Sequence, residues 1–282
     1  CHRKSCGALS TGCQGMELHA PPHWQHIDVI SDLHLQASEP RTFEAWHQYL
    51  GRTTADAVFI LGDLFEAWVG DDVLADASSF EAQCSRLLLD TSHRLPVYLM
   101  HGNRDFLMGD ALMQACDTTL LPDPTVLQLG TTRWLLSHGD ALCLDDTDYQ
   151  VFRTQVRSPQ WQQHFLSQPL AVRQDIARSL RSQSEAKKHQ ETQYADVDTA
   201  AALQWLAASQ AQHLLHGHTH KPSFHVLDSG HDRTVLSDWD CGATPPRAEV
   251  LRLSWRANAA ANVRVQRLAP DSDEISSPKP VD

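Results

Sequence analysis

Short runs of consecutive apolar residues, each followed directly by polar side chains, recur along this chain. The clearest is Val58–Leu61, which leads straight into Gly62 and Asp63. Apolar runs without alternating polar residues are typical of strands that are buried on both faces of a parallel sheet. Ligand sites in open α/β sheets lie at the carboxyl ends of such strands. The run therefore predicts that Asp63 lies at a functional edge of a sheet.

Four further apolar runs end in the same way, at segments that contain potential metal ligands. These segments are Asp32-Leu33-His34, Gly102-Asn103-Arg104-Asp105, His138-Gly139-Asp140 and Gly217-His218-Thr219-His220. Because the carboxyl ends of parallel strands meet at one edge of a sheet, we expect the four segments to lie around Asp63. Asp63 is then the natural ligand to be shared between two metal ions.

Between the predicted strands, apolar residues at spacings of three and four predict helices over about 40–49, 79–89 and 107–115. Two apolar runs separated at Gly130 predict a β-hairpin, and antiparallel strands are expected to close the fold after the last metal-capable segment. Residues 145–210 differ from the rest, because they contain no glycine and are dominated by Gln, Arg, Ala and Leu. They predict a helical insertion beside the site.

The predicted domain spans residues 24–267. Residues 1–23, rich in Gly, Ser, His and Pro, are predicted to be a disordered extension, and the polar residues 268–282 a disordered tail. No run approaches 18 apolar residues, so the sequence predicts no membrane-spanning helix.

Composition narrows the classes of function. A chain of 282 residues that is 41% hydrophobic and 21% charged is typical of a globular protein with one large α/β domain. The net charge of −12 argues against nucleic-acid binding, which needs a basic surface. It remains compatible with an anionic substrate, because bound metal ions reverse the local sign. Seven cysteines without a CxxC pair favour the reduced thiols of a cytoplasmic protein.

The candidate ligands predict the chemistry. Carboxylate, imidazole and amide oxygen together suit divalent ions such as Mn²⁺, Fe²⁺, Co²⁺ or Zn²⁺. A carboxylate such as Asp63 can bridge two ions about 3.5–4 Å apart, a pair that supports in-line displacement at phosphorus. Each motif alone has a structural explanation, such as a helix N-cap at Asp63 or a hydrogen-bonded core histidine at His138. Their occurrence together at five strand ends favours a di-metal hydrolase, in which His216 is expected to orient a ligand.

The five motifs resemble those of the calcineurin-like metallophosphoesterase superfamily. The longer strings Gly62–Asp72 and His101–Leu107 resemble, within it, the UDP-2,3-diacylglucosamine diphosphatases of lipid A synthesis. The resemblance covers residues 27–253 and implies an α/β fold, an αββα sandwich with the helical insertion as a cap over the active site. It also implies two divalent ions, expected to be Mn²⁺, and hydrolysis of the nucleotide-linked lipid to UMP and 2,3-diacylglucosamine 1-phosphate. The expected location is the cytoplasmic face of the inner membrane, as a peripheral protein.

The resemblance further implies residue roles. One metal ion would be held by Asp32, His34, Asp63 and His220, and the other by Asp63, Asn103, His138 and His218. The catalytic residues would be Asp63, Asn103, Arg104 and His218. Substrate contacts would fall on Asn103, Arg104, Asp146, Tyr149, Arg181, Ser184, Lys188 and His218. In the cap, Lys187 is an alternative to Lys188, because this part of the chain departs from the family pattern.

Arg104 favours cleavage of a phosphoanhydride on chemical grounds. Many relatives carry a histidine after this asparagine, placed to protonate an alkoxide leaving group. A leaving sugar phosphate needs no such proton, whereas a guanidinium group stabilises charge on the phosphates. The structural alternative is a surface ion pair between Arg104 and Asp105.

The insertion is expected to house the acyl chains and to bring the protein to the membrane surface, because its apolar residues are interspersed with arginines. The apolar residues are Trp161, Phe165, Leu166, Leu170, Val172, Ile176 and Leu180, and the arginines are Arg153, Arg157, Arg173, Arg178 and Arg181. The alternative is a helical hairpin that packs on the core with its arginines in solvent. The expected partners are the lipid-linked nucleotide and a membrane surface, without nucleic acid or an obligate protein partner. Other functions left open are another nucleotide or dinucleoside pyrophosphatase and a metal-free binding scaffold.

Overall fold

The computed structural model describes residues 16–188, 196–256 and 263–277, without the side chains of residues 183–188. The strands are β1 (Met16–His19), β2 (His26–Ile30), β3 (Ala57–Leu61), β4 (Val97–Met100), β5 (Thr119–Leu121), β6 (Thr125–Leu129), β7 (Thr132–Ser137), β8 (His213–His216), β9 (Ser223–Val226), β10 (Asp232–Val235), β11 (Val250–Ser254) and β12 (Arg264–Leu268). The helices are α1 (Pro40–Arg52), α2 (Phe80–Ser92), α3 (Asp110–Cys116), α4 (Thr147–Val156), α5 (Pro159–Leu166), α6 (Leu170–Lys188), α7 (Thr199–Ser209) and α8 (Asp273–Ser276).

The strands form two six-stranded sheets that pack face to face. One sheet has the order β12-β11-β2-β3-β4-β5, and the other the order β1-β6-β7-β8-β10-β9. A hydrophobic core lies between the sheets, a second covers the outer face of the first sheet under α1, α2 and α3, and a third lies under α7 on the outer face of the second sheet. This is the predicted αββα sandwich.

The strand β3 shows why the apolar runs do not alternate with polar residues. All five of its residues are buried. Val58 and Ile60 belong to the core under α1, α2 and α3. Phe59 and Leu61 belong to the core between the sheets. Because successive side chains of a strand point to opposite faces, a strand that is covered on both sides has no polar face.

Strand pairing agrees with most of the predicted pattern. The strands β2, β3, β4 and β5 run parallel, and β6 and β7 form the predicted antiparallel hairpin. The strand pairs β9–β10 and β11–β12 are antiparallel, as expected. However, β10 runs parallel to β8, because β9 lies between them in the chain and reverses its direction.

Both predicted disordered ends were too long. Met16–His19 pairs with β6 in a parallel register, and Leu18 packs against the core between the sheets. At the other end, Ile275 of α8 is fully buried, and its carbonyl oxygen accepts a hydrogen bond from the backbone N–H of Thr54. A single apolar residue within a polar segment gives too weak a pattern for the sequence to predict this docking. Residues 1–15 and 278–282 lie outside the described chain.

Four helices, α4 to α7, lie between β7 and β8, where the sequence predicts the helical insertion. Ala202 and Leu206 of α7 pack on the outer face of the second sheet, so α7 belongs to the sandwich. We use the term cap for α4, α5 and α6. Among the described residues, no helix combines the length and apolarity needed to cross a membrane.

Candidate metal centre

The loops that follow β2, β3 and β8 adopt an unusual backbone conformation. Seven non-glycine residues in the described part of the chain have a positive φ, and five of them are predicted metal ligands. The five are Asp32 (55°), His34 (48°), Asp63 (51°), His218 (66°) and His220 (54°). The other two, Asp117 and Gln210, end α3 and α7. The left-handed conformation costs about 1 kcal/mol or more per residue and is concentrated at functional sites.

Backbone hydrogen bonds hold these loops against one another. The N–H of Asp32 donates to the carbonyl of Gly62 at 3.1 Å, and that of His34 donates to the carbonyl of Asp63 at 3.0 Å. The close approach requires glycine at Gly102, where an added Cβ would lie 2.1 Å from Oδ1 of Asp63. Steric crowding therefore explains why glycine precedes both Asn103 and Asp63 in the sequence motifs.

One group of candidate ligands consists of Asp32, His34 and His220, with Asp63 beside it. Nε2 of His34 lies 3.2 Å from Nε2 of His220 and 3.9 Å from Oδ2 of Asp63. Nε2 of His220 lies 3.3 Å from Oδ1 of Asp32. Four side chains from three loops therefore converge with their donor atoms.

A second group lies on the other side of Asp63. Oδ1 of Asn103 lies 3.0 Å from Nε2 of His138 and 2.9 Å from Nδ1 of His218. Nε2 of His138 is 3.8 Å from Oδ2 of Asp63. Nδ1 of His138 donates to the carbonyl of Leu61 at 2.9 Å, so its Nε2 is the atom that faces the site. All seven predicted ligands are thus brought together, with Oδ2 of Asp63 between the two groups.

The residues fit divalent metal ions. Oδ1 of Asp32 is buried and has no hydrogen-bond partner, because its 3.3 Å approach to His220 is not aligned as a hydrogen bond. A buried polar atom without a partner costs about 1–3 kcal/mol, and an ion would satisfy it. The two facing imidazole nitrogens of His34 and His220 suit one ion, and the mixture of carboxylate, imidazole and amide oxygen suits the borderline divalent metals.

The two histidines beside Asn103, fully buried His138 and partly buried His218, differ in protonation. Burial alone would lower the pKa of His138, but the carboxylates of Asp63 and Asp32 outweigh it and raise that pKa to about 9. Burial, together with the neighbouring His138, lowers the pKa of His218 to about 3. At neutral pH, binding of an ion at His138 therefore requires displacement of a proton.

Arg104 does not pair with Asp105, so that alternative was wrong. Its Nη1 donates to Oε1 of Glu66 at 2.6 Å, and its backbone N–H donates to Oδ1 of Asp63 at 2.8 Å. Asp105 is fully buried and accepts backbone hydrogen bonds from Gly102 at 2.7 Å and Leu64 at 2.8 Å. Asp105 thus ties together the loops after β3 and β4.

Of the two predicted substrate contacts at the start of α4, Asp146 and Tyr149, it is Tyr149 that lies beside a candidate metal ligand. The ring of Tyr149 stacks on that of His218, with centroids 6.0 Å apart, and its hydroxyl donates to Asp140. The side chain of Asp146 caps α4 by accepting from the N–H of Tyr149 at 3.0 Å. Arg153 donates to the same Asp140 carboxylate at 2.7 Å. These contacts dock α4 against the loop that follows β7.

From α6, Arg181 reaches the site, with Nε 3.3 Å from Oε1 of Glu66 and Nη1 donating to Gln36 at 2.9 Å. The side chains of Ser184, Lys187 and Lys188 lie outside the described part of the structure. Nδ1 of His216 donates to the carbonyl of Gly217, directly before His218, so its role in orienting a ligand stays a prediction.

Four residues near the site were not predicted as part of it. They are Glu66, Asp140, Arg153 and Arg157. Glu66 and Asp140 lie within the sequence motifs, which could have indicated them. Arg157 donates to the carbonyl of Gly102, which is distant in sequence, and no local sequence pattern predicts such a contact.

Similarity to known proteins defines the class. Residues 25–222 match the family model described as calcineurin-like phosphoesterase, and the chain belongs to that family. Among its relatives, a protein of Chromobacterium violaceum named UDP-2,3-diacylglucosamine hydrolase is 45% identical over 77% of this chain and 91% of its own. Proteins of the same name from Bordetella pertussis and Xanthomonas campestris pv. campestris are each 42% identical, over 78% and 74% of this chain and 88% and 90% of their own.

Proposed function

We propose that this protein is a di-metal pyrophosphohydrolase that cleaves UDP-2,3-diacylglucosamine to UMP and 2,3-diacylglucosamine 1-phosphate in lipid A biosynthesis. The relatives that carry this substrate in their name align with more than two thirds of the chain. The observation that carries the proposal is the meeting of Arg104 with Arg181 of the cap beside the seven candidate ligands. Two guanidinium groups next to a metal centre suit a substrate with two phosphates.

Two divalent ions, with Mn²⁺ as the proposed metal, would be held by two sets of ligands that share Asp63. The sets are Asp32, His34, Asp63 and His220, and Asp63, Asn103, His138 and His218. When bound, such a pair would activate water for attack at neutral pH and would neutralise charge on the phosphoryl oxygens.

The chain's own residues bind and orient the diphosphate. Arg104 stabilises the charge that develops on the phosphates, and Arg181 closes over them from the cap. No general acid is needed, because the leaving sugar phosphate is already an anion. The backbone hydrogen bond from Arg104 to Asp63 keeps the guanidinium group in a fixed relation to the shared ligand. Substrate contacts are proposed at Asn103, Arg104, Asp146, Tyr149, Arg181, Ser184, Lys188 and His218.

The apolar side chains of the cap divide into a buried set and an exposed set. Only the exposed set is available to form the expected lipid-binding surface. Phe165 is 5% exposed and stacks on Trp161, and Leu170 and Ile176 pack on the same core. Substitutions at these positions would therefore test stability. The exposed set is Val151 (70%), Leu166 (42%), Val172 (42%) and Leu180 (39%). We assign contact with acyl chains and with the cytoplasmic face of the inner membrane to the exposed set.

The cap arginines divide in the same way, so the alternative in which all of them lie in solvent is wrong. Arg178 has a side chain that is 72% exposed. Arg173 is 2% exposed, donates to the carbonyl of Val69 and pairs with Asp72. Buried Arg173 docks the cap, whereas Arg178 remains available to anionic lipid headgroups.

The activity is tested with the purified protein, Mn²⁺ and UDP-2,3-diacylglucosamine, scored for release of UMP. UDP-N-acetylglucosamine, which lacks the acyl chains, and a dinucleoside polyphosphate serve as competing substrates. We expect the diacylated substrate to have the highest kcat/KM. Preference for the dinucleoside polyphosphate would favour the alternative of a nucleotide pyrophosphatase. The metal-free scaffold is disfavoured, because all seven candidate ligands are present and converge.

Membrane binding is tested with Val172→Asp and Leu180→Asp, using flotation with anionic phosphatidylglycerol vesicles. Val226→Asp is the matched control, because Val226 is 73% exposed on β9 rather than on the cap. We expect the two cap variants to reduce vesicle binding and to impair hydrolysis of the diacylated substrate more than that of a short-chain analogue. An equal loss of vesicle binding in Val226→Asp would contradict a specific role of the cap in membrane binding.

A further inference from the structure

Glu66 is a buried carboxylate at the point where the cap meets the candidate metal centre. It lies three residues beyond Asp63, and the residue is 8% exposed. Its backbone N–H donates to the carbonyl of Leu35 at 3.1 Å, beside the loop that carries His34. Two loops thus fix the position of Glu66.

The carboxylate of Glu66 contacts side chains from three other parts of the chain. Oε2 lies 3.3 Å from Nδ1 of His34, an ion-pair contact rather than a well-aligned hydrogen bond. Oε1 accepts from Nη1 of Arg104 at 2.6 Å. The same oxygen lies 3.3 Å from Nε of Arg181 on α6. One carboxylate therefore touches a candidate ligand, an arginine of the site and an arginine of the cap.

The contact with His34 bears on metal binding. Nδ1 of His34 faces Glu66, while its Nε2 faces His220 at 3.2 Å and Asp63 at 3.9 Å. A carboxylate on the distal nitrogen of a ligating histidine fixes the tautomer and the ring orientation and makes the ligand more basic. Loss of such a partner typically costs about 10–100-fold in metal affinity or activity.

The contacts with the two arginines bear on substrate binding. The side chains of Arg104 and Arg181 are 18% and 33% exposed, so both reach the solvent-accessible mouth of the site. Two guanidinium groups at one place repel each other, and each long side chain loses rotamer entropy when it is ordered. Glu66 offsets one positive charge and orders both side chains before substrate arrives.

We propose that Glu66 is a positioning residue that couples the cap to the metal centre. It holds His34 in its ligating orientation and holds Arg104 and Arg181 together for the two phosphates of the substrate. The substrate half of this inference rests on the proposed function, whereas the metal half does not. Metal affinity and substrate affinity then depend on one carboxylate that binds neither directly.

The test is Glu66→Gln, which keeps the shape of the side chain and removes its charge. Calorimetric titration with Mn²⁺, without substrate, is expected to show a dissociation constant raised by about tenfold or more. The matched control is Asp72→Asn, which breaks the ion pair between Asp72 and Arg173 of the same cap. The control should keep the Mn²⁺ affinity, because Asp72 contacts no candidate ligand in the described structure and Arg173 still donates to the carbonyls of Val69 and Gln168.

Two further measurements separate the roles of Glu66. Combined with Arg104→Ala, Glu66→Gln should reduce kcat/KM less than it does alone, because the two side chains are in contact. Glu66→Gln should still lower the Mn²⁺ affinity when Arg104 is also replaced by alanine. Glu66→Asp restores the charge and is expected to regain part of the Mn²⁺ affinity, which also covers the case in which Glu66→Gln fails to fold.

The outcomes that overturn the inference are distinct from those that overturn the proposed function. Unchanged Mn²⁺ affinity in Glu66→Gln, or equal losses in Glu66→Gln and Asp72→Asn, contradicts the role of Glu66. A wild-type protein that binds Mn²⁺ but releases no UMP from the diacylated substrate contradicts the proposed function, and the Mn²⁺ titration of Glu66→Gln still tests the metal half.

Discussion

Asp28 and Asp32 are both fully buried, on the strand β2 and just beyond its end, yet they have opposite surroundings. Both oxygens of Asp28 are hydrogen-bonded, with Arg252 donating at 2.7 and 3.0 Å and Thr53 at 2.6 Å. Asp32 has a positive φ of 55°, and its Oδ1 has no hydrogen-bond partner. The carboxylate within the strand has both oxygens hydrogen-bonded, whereas the one beyond its end keeps one oxygen without a hydrogen bond.

The difference teaches where this fold is stabilised and where it functions. The ion pair between Asp28 and Arg252 also docks the C-terminal segment, because Arg252 donates to the carbonyl of Glu274 at 2.7 Å. Removing one partner of such a pair leaves an uncompensated buried charge. At Asp32, the strained backbone and the one oxygen without a hydrogen bond are tolerated because a ligand can bind there. The predictions below test this contrast.

The largest effect is expected for Asp63→Ala. Loss of the shared ligand should remove several kcal/mol of transition-state stabilisation, which is a fall in kcat of about 10³-fold or more. The fold should stay intact in the presence of a chelator, with a modest fall in melting temperature, because protonated His138 and the backbone N–H of Arg104 lose this carboxylate. Steady-state kinetics and calorimetry measure both. Retention of more than about a tenth of the wild-type rate would rule out the bridging role.

At the buried pair with Asp28, Arg252→Ala should destabilise the protein by about 3–5 kcal/mol. The activity of the fraction that stays folded should be retained, because Arg252 contacts no candidate ligand in the described structure. Urea denaturation provides the free energy of unfolding. Arg178→Ala is the control, since its pair with Asp175 is exposed and should contribute about 0.5 kcal/mol or less. Equal destabilisation by Arg252→Ala and Arg178→Ala would contradict the stabilising role of the buried pair between Asp28 and Arg252.

A smaller effect is expected for Arg104→Ala, which should lower kcat/KM by about 10²-fold without changing metal content. Metal content is measured by elemental analysis beside the kinetics. Unchanged kinetics would assign Arg104 a structural role only, through its pair with Glu66.

The smallest effect concerns pH. Because the pKa of His138 is raised to about 9 before an ion binds, this imidazole carries a proton at pH 7 that the ion must displace. The affinity for Mn²⁺ should therefore rise with pH, by at most about tenfold per unit between pH 7 and 9, and level off above. Titrations at several pH values, in buffers of different ionisation enthalpy, measure the affinity and the proton released. Affinity independent of pH in this window would contradict a protonated His138.

The sequence by itself determined the strand ends and the candidate ligands that follow them. Burial on both faces leaves a local signature, an unbroken apolar run, and the residue after the run is read directly from the chain. That is why Asp32, Asp63, Asn103 and His138 could be named as candidate ligands without a structure. The sandwich and the insertion of helices were predictable for a similar reason, because their periodicities are local properties.

Only the tertiary structure decided which charges meet. Whether Arg104 pairs with Asp105 or with Glu66 depends on how tightly the loops after β3 and β4 pack, which buries Asp105 under backbone N–H groups. Likewise, Phe165 and Val172 belong to the same apolar part of the insertion, yet Phe165 is buried in the core and Val172 is exposed. Which face of a helix is buried depends on the element that the helix packs against. Such contacts join residues that are distant in sequence, and their energies depend on burial and geometry that no local pattern contains.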